Sequence, residues 1–271
     1  MQAMFSSGAA QTNRLWSPGI WGDMTRPDGL NFEARIKHDD FVTKGPVASN
    51  VTTVGAATVN SNYGVYLSPS ATMTDAAIDG GVLALTTAAA DNMSIALQGT
   101  VGGGIVGKAY GDSCFEARIK VSSIAATTFS LFVGLMDAGT AAADEVPVTA
   151  ADALANKDLI GFFRSAGGAT MDTVYKKTGQ TAVTVGSAVV TLVADTFIKL
   201  GFRFRQAEQR LRYYVNGIEL ADKVSASATT GIGGTRFPTL TLVPVIAMMS
   251  AVGTSYVTYL DWWTVGQKEI S

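Results

Sequence analysis

The chain's one histidine, His38, is followed directly by Asp39 and Asp40, a grouping able to orient an imidazole for general base work. No nucleophile accompanies it. The single cysteine, Cys114, sits in no catalytic signature, and no G-x-S-x-G elbow occurs. The expectation for His38 is therefore a polar residue where a strand begins. Asp75, Asp79, Asp91 and Asn92 carry the oxygen ligands that calcium takes, but they fall in turns where Asp and Asn are expected on backbone grounds. No metal and no other cofactor is expected. Gly102-Gly103-Gly104 lacks the Lys-Ser/Thr and the helix of a phosphate loop and reads as a turned connection. The strongest chemical signal is basic. If Gln206-Ala207-Glu208-Gln209 is a four-residue hairpin loop, Arg205 lies opposite Arg210 and Arg203 opposite Arg212. Like charges directly across a sheet repel. The four guanidinium groups therefore require counter-charges, either from this chain (Glu208 and Glu116) or from a subunit or capsid contact; nucleic acid is the remaining alternative.

The elements that carry these residues read as short strands. Phe115-Glu116-Ala117-Arg118-Ile119-Lys120-Val121 alternates, with Phe115, Ala117, Ile119 and Val121 facing in and three charges facing out. Residues 129–136 are apolar on both faces, as in a central strand covered on both sides. Residues 82–86, 93–97, 159–163 and 173–177 are further strand candidates. Ile198, Leu200, Phe202 and Phe204 share one face of another, with Lys199, Arg203 and Arg205 opposite. Leu211-Arg212-Tyr213-Tyr214-Val215 then meets Asn216-Gly217, the strongest two-residue hairpin signal. Residues 240–248 and 256–265 close the chain, the latter with Trp262 and Trp263 facing opposite ways. About a dozen strands are expected, with one short helix over residues 150–155. The predicted fold is all-β, a two-sheet antiparallel sandwich. The hexapeptide Phe-Glu-Ala-Arg-Ile-Lys occurs at 32–37 and again at 115–120; its flanks differ, so it reads as coincident strand chemistry.

Residues 1–31 stand apart. They hold Pro18, Pro27 and several glycines, no sustained period, and two large apolar anchors, Trp16 and Trp21. Such a segment cannot build a core of its own, so it either docks on a neighbouring molecule or wraps its own domain, and buried tryptophans at an interface are the expectation. The division expected is an extended arm with a leading strand over 1–50 and a sandwich over 51–271.

Composition sets the outer limits. Charged residues make up 15% of the 271, hydrophobic residues 47%, and Gly 29 positions. That excludes a disordered chain and argues against a Glu/Lys/Leu-rich helical bundle. The net charge of −2 gives no bulk attraction to nucleic acid or anionic membrane. One cysteine forbids an internal disulfide. The first residues hold no basic stretch followed by an apolar run, and no 18-residue apolar run occurs, so neither a signal peptide nor a membrane span is expected.

Three segments carry a resemblance: Phe197-Ile198-Lys199-Leu200-Gly201-Phe202, Tyr213-Tyr214-Val215-Asn216-Gly217-Ile218-Glu219 and Tyr259-Leu260-Asp261-Trp262-Trp263-Thr264-Val265. In this order they resemble the concanavalin A-like lectin/glucanase jelly roll. His38-Asp39-Asp40-Phe41 and Phe115-Glu116-Ala117-Arg118, with the same ending, are similar to virion structural proteins of tailed bacteriophages, some of which decorate or cement the capsid. The first resemblance implies a glycosidase. Retaining glucanases of that kind carry E-x-D-x-E on one strand, which places two carboxylates ~5–5.5 Å apart. No such triplet occurs here; the nearest acidic cluster, Asp144-Glu145, points to opposite faces if extended. The second resemblance implies a non-enzymatic capsid decoration protein, made in the host cytoplasm and lying on the capsid exterior. Its implied partners are the major capsid protein and copies of itself, as a homotrimer, through Trp16, Trp21 and the ribbon of Arg203, Arg205, Arg210 and Arg212. A glycan-binding tail or receptor-binding protein is the alternative, and a diverged glycoside hydrolase the third reading.

Overall fold

In the computed structural model of the chain, residues 17–21, 34–39, 41, 55–60, 63–76, 81–99, 111–125, 129–139, 148–150, 153–250 and 253–268 are described. Among the described residues, one four-residue helical turn, α1 (Pro18–Trp21), precedes eighteen strands. The first eight are β1 (Ala34–Asp39), β2 (Gly55–Asn60), β3 (Tyr63–Leu67), β4 (Thr72–Ala76), β5 (Val82–Thr86), β6 (Ser94–Gly99), β7 (Ser113–Val121) and β8 (Phe129–Asp137). Then come β9 (Val148–Ala150), β10 (Ala153–Leu154), β11 (Leu159–Arg164), β12 (Thr170–Lys176) and β13 (Val183–Thr191). The chain finishes with β14 (Ile198–Arg205), β15 (Arg210–Val215), β16 (Ile218–Ser225), β17 (Leu242–Ser250) and β18 (Val257–Lys268).

Sixteen of these strands make two antiparallel eight-stranded sheets, and β9 and β10 pair separately. The first runs β16-β15-β14-β7-β18-β5-β4, with β1 added to β18; the second runs β13-β12-β11-β8-β17-β6-β3-β2. Twelve-residue β18 organises the first sheet: β7 pairs along one edge, while β5 and then β1 share the other. The two copies of the repeated hexapeptide thus contribute to strands on opposite sides of β18. Strand β1 belongs to the sandwich, although it lies within the first fifty residues.

The core lies between the sheets and follows from alternation. Phe115, Ala117, Ile119 and Val121 of β7 face Leu131, Val133 and Leu135 of β8 and their neighbours in one continuous apolar cluster. Leu200, Phe202 and Phe204 of β14 and Leu211 and Tyr213 of β15 extend it. Trp263 enters from β18, stacked on Tyr63 at 6.1 Å between ring centroids and edge-on to Phe41 at 5.9 Å. Burial of this apolar area is the main force holding the sheets together. Asn216 and Gly217, at φ 50° and 81°, turn β15 into β16 as expected of that dipeptide.

Strand β8 is covered on both sides. Its alternate residues Phe132 and Met136 join Leu159, Phe163, Val174, Val245 and Met249 in a second apolar cluster on the outer face of the second sheet. Leu154 and Ala155 pack onto that cluster, and β9 lies against β8 and β17. This corrects the helix expected over 150–155. The segment's described residues belong to strands β9 and β10, which pair antiparallel, and to the exit at Ala155, because covering an exposed apolar sheet face outweighs the helix propensity of alanine. Gly134 and Gly161 sit directly opposite each other beneath this cover, and a Cβ on Gly134 would lie 2.2 Å from the Ile160 carbonyl oxygen.

Candidate functional site

The outer face of the first sheet carries the polar chemistry. Register across six strands aligns His38 (β1), Thr264 (β18), Glu116 (β7), Gly201 (β14), Tyr214 (β15) and Glu219 (β16) in one row. The next outward row is Ile36, Gly266, Cys114, Arg203, Arg212 and Lys223. Both rows exist because each of these strands places its apolar residues inward and leaves the alternate positions to this face.

Alternation alone would leave Glu116 in water. Instead residues 17–21 lie across it, and Glu116 is fully buried. Its Oε2 accepts from the Ser17 backbone N–H at 3.1 Å and from Trp21 Nε1 at 2.8 Å, and its Oε1 accepts from the Ser17 hydroxyl. A buried carboxylate needs such donors in place of water. Gly201 is the notch that lets the cover sit down: a Cβ there would fall 2.6 Å from Ile20 Cδ1 and 2.7 Å from the Phe115 carbonyl oxygen. Ile20, Trp21, Cys114 and Tyr214 form a small apolar cluster around this contact, and the Cys114 thiol donates to the Ile20 carbonyl at 3.4 Å. Trp21 is thus buried in its own chain, so of the two alternatives for the arm, wrapping its own domain describes this part. Trp16 lies outside the described residues.

The two other buried carboxylates among the described residues are also engaged. Asp261, fully buried beside the irregular register of β18, is paired with Arg118. Buried Asp158, at the start of β11, accepts from the backbone N–H groups of Thr178 (2.7 Å), Thr239 (2.7 Å) and Leu240 (3.2 Å) and ties loops together. His38 Nδ1 is 2.6 Å from Thr264 Oγ1, and its ring lies 6.0 Å from that of Trp262. Trp262 is itself buried, which removes it as an exposed stacking platform. Asp75 is on β4, Asp91 and Asn92 are in the turn before β6, and Asp79 lies outside the described residues.

The arginine ribbon has the expected register, with Arg205 opposite Arg210 and Arg203 opposite Arg212. Its counter-charges come from this chain, but not all are those anticipated. Glu208 bridges Arg205 (2.7 Å) and Arg212; Glu219 meets Arg212 at 3.2 Å; Asp112 lies 3.6 Å from Arg203. Glu116, anticipated as a partner, is occupied by Ser17 and Trp21. The hydrogen bond from Arg205, with help from Arg212, holds the Glu208 carboxyl below the usual carboxylate range. Burial pulls the Arg212 guanidinium down, but Glu219 and Glu208 more than offset it and the net shift is upward. Burial, and then the Glu219 charge, push the Tyr214 hydroxyl up. A surface cavity of about 360 Å³ opens beside these groups, lined by Arg203, Arg205, Arg212, Tyr214 and Glu219 together with Gly19 and Gly217.

Sequence reasoning missed the cover over Glu116 and the roles of Asp112 and Glu219. One signal was present: Gly201 interrupts an otherwise bulky strand, and a glycine inside a strand marks a close approach of other atoms.

No family model and no curated protein matches the chain. Solved structures do. A protein of unknown function from Shewanella oneidensis MR-1 superposes with a TM-score of 0.54 at 12% identity, covering 99% of this chain and 97% of that one. The endo-1,3-β-glucanase of Streptomyces sioyaensis gives 0.52 at 12% identity over 88% and 98%. Peanut lectin gives 0.50 at 11% identity over 88% and 99%. With two antiparallel sheets in this order, the chain has the concanavalin A-like lectin/glucanase jelly-roll fold.

Proposed function

We propose that this chain works by contact and not by turnover, as a capsid decoration protein of a tailed-bacteriophage virion. It lies on the capsid exterior and binds the major capsid protein and copies of itself as a homotrimer. The observation that carries the non-enzymatic part is the state of the two buried carboxylates of the first sheet. Glu116 is filled by Ser17 and Trp21, and Asp261 by Arg118. A glycosidase needs one carboxyl to protonate the leaving group and another to attack or activate water, both open to a substrate. The virion setting rests on the sequence resemblance at residues 38–41 and 115–118 and in the closing strand.

The test is the copy number of this chain in purified virus particles, by quantitative mass spectrometry against the major capsid protein. The reading predicts hundreds of copies per particle and no hydrolysis of β-1,3-glucan. Absence from particles overturns the virion assignment, and glucan hydrolysis that disappears in Glu116→Gln overturns the non-enzymatic one. A second reading, a glycan-binding tail or receptor-binding protein, is favoured by the cavity beside Tyr214 and by the lectin among the structural neighbours. A few to a few dozen copies per particle would select it.

A further inference from the structure

The cavity beside the arginine ribbon has a lining of unusual charge. Three guanidinium groups, from Arg203, Arg205 and Arg212, line it against a single carboxylate, Glu219. The other counter-ions lie outside the lining: Asp112 pairs with Arg203, and Glu208 with both Arg205 and Arg212. Strand register fixes the group. Arg203 and Arg212 face each other across β14 and β15, and Arg205 follows two residues along the same face. Each guanidinium has five N–H donors in a planar fork suited to carboxylate or phosphate oxygens, and an ion pair uses only some of them. The buried Nε of Arg212 has no hydrogen-bond partner.

We propose that this cavity binds a small hydroxylated organic oxyanion, with the arginines holding its charged group and Glu219 accepting from its hydroxyls. Each part of the lining selects one property of the ligand. Three guanidinium forks within one lining, with N–H donors beyond those their ion pairs use, select an oxyanion. Glu219 and the Tyr214 hydroxyl, 3.4 Å apart, supply an acceptor and a polar edge for a hydroxyl-bearing body. A volume of about 360 Å³ suits a small molecule. Gly19 and Gly217 complete the lining, where residues 17–21 meet the β15–β16 turn. The proposal does not depend on the virion reading, because the site is built within one chain.

The experiment is isothermal titration of the full chain at low ionic strength with four probes: glucuronate, glucose 6-phosphate, uncharged glucose and inorganic phosphate. The expected result is saturable one-to-one binding of glucuronate or glucose 6-phosphate, at least tenfold tighter than glucose or inorganic phosphate and weaker as salt rises. Glucuronate as the tighter ligand assigns a carboxylate, and glucose 6-phosphate a phosphate ester. Arg205→Gln, whose side chain is about one-third exposed, and Arg212→Gln each weaken binding at least tenfold. Arg210→Gln, on the same ribbon but outside the lining, leaves it unchanged. Four results overturn the proposal: no saturable binding of either charged sugar, unchanged binding in both Arg205→Gln and Arg212→Gln, inorganic phosphate binding as tightly as the sugars (an adventitious ion only), and self-association of the chain that Arg205→Gln abolishes, which would give the ribbon to a second copy.

Discussion

Both sheets of this sandwich have their outer faces partly covered by a short segment, and the two covers use opposite chemistry. Over the second sheet, Leu154 and Ala155 lie on Phe132, Met136, Leu159, Phe163, Val174, Val245 and Met249, a largely apolar contact to which Lys176 Nζ adds one hydrogen bond, to the Leu154 carbonyl at 3.0 Å. Over the first, residues 17–21 are held by hydrogen bonds to one buried carboxylate, with Ile20 seated over Gly201. Apolar burial is non-directional and scales with area, so the second cover makes little demand on geometry. Hydrogen bonds to a carboxylate are directional, and each contributes modestly in net terms while costing much if left unmade. The first cover adds these directional bonds to the apolar burial of Ile20 and Trp21, and is therefore the more specific in position. A segment of this kind fixes what the face presents without being required for the sandwich to fold.

That contrast can be broken most forcefully on the apolar side. Phe132→Ala should cost ~3–5 kcal/mol of global stability, the usual result of emptying a buried aromatic site, read from urea unfolding. A loss below ~1 kcal/mol would mean that the second sheet's cover contributes little. On the polar side, Gly201→Ala should cost ~1–3 kcal/mol, because the new Cβ meets Ile20 and the Phe115 carbonyl. Its signature is a red shift of tryptophan fluorescence as Trp21 is released, and an unshifted spectrum would count against the notch. Glu116→Gln should cost ~1–2 kcal/mol, since a neutral amide accepts more weakly and brings donors where donors already point. The core should remain folded, with a cooperative transition by circular dichroism; complete unfolding would show that the two covers do not differ as argued.

The smallest effect belongs to Glu208. Its carboxyl is held low by Arg205 and Arg212, so its stabilising contribution is present above the usual carboxylate range near ~4.3. That contribution is lost as pH falls through the lower folded value, where both states are protonated. The group is partly exposed and screened by salt, which keeps the effect below ~1 kcal/mol. Thermal unfolding of wild type and Glu208→Gln should differ slightly at pH 6 and coincide below pH 3. A difference that grows on acidification would contradict the ion-pair assignment.

Much of this was legible from local pattern. The alternation in residues 115–121 and 198–205, the Asn216-Gly217 turn and the four-residue loop together determine the arginine register, because a side-chain period of two leaves one pairing with the apolar face inward. The cover over Glu116 was not legible. Ser17 and Trp21 meet a residue almost a hundred positions away, and no periodicity encodes a contact between a non-repeating segment and a strand face. Residues 150–155 misled for a related reason: their alanines favour helix locally, while the need to cover Phe132 and its neighbours is set by distant strands.

The central claim, that residues 17–21 close the outer face of the first sheet, is most directly tested at Cys114, the only thiol of the chain, which is buried beneath Ile20. The measurement is its rate of reaction with a small disulfide reagent in native buffer, relative to the urea-unfolded protein. The account predicts that the native thiol reacts at least ~1,000-fold more slowly, as expected where access requires local opening, and that Glu116→Gln recovers much of the lost rate. A native rate within about tenfold of the unfolded one would place Cys114 in open solvent and contradict the closed face.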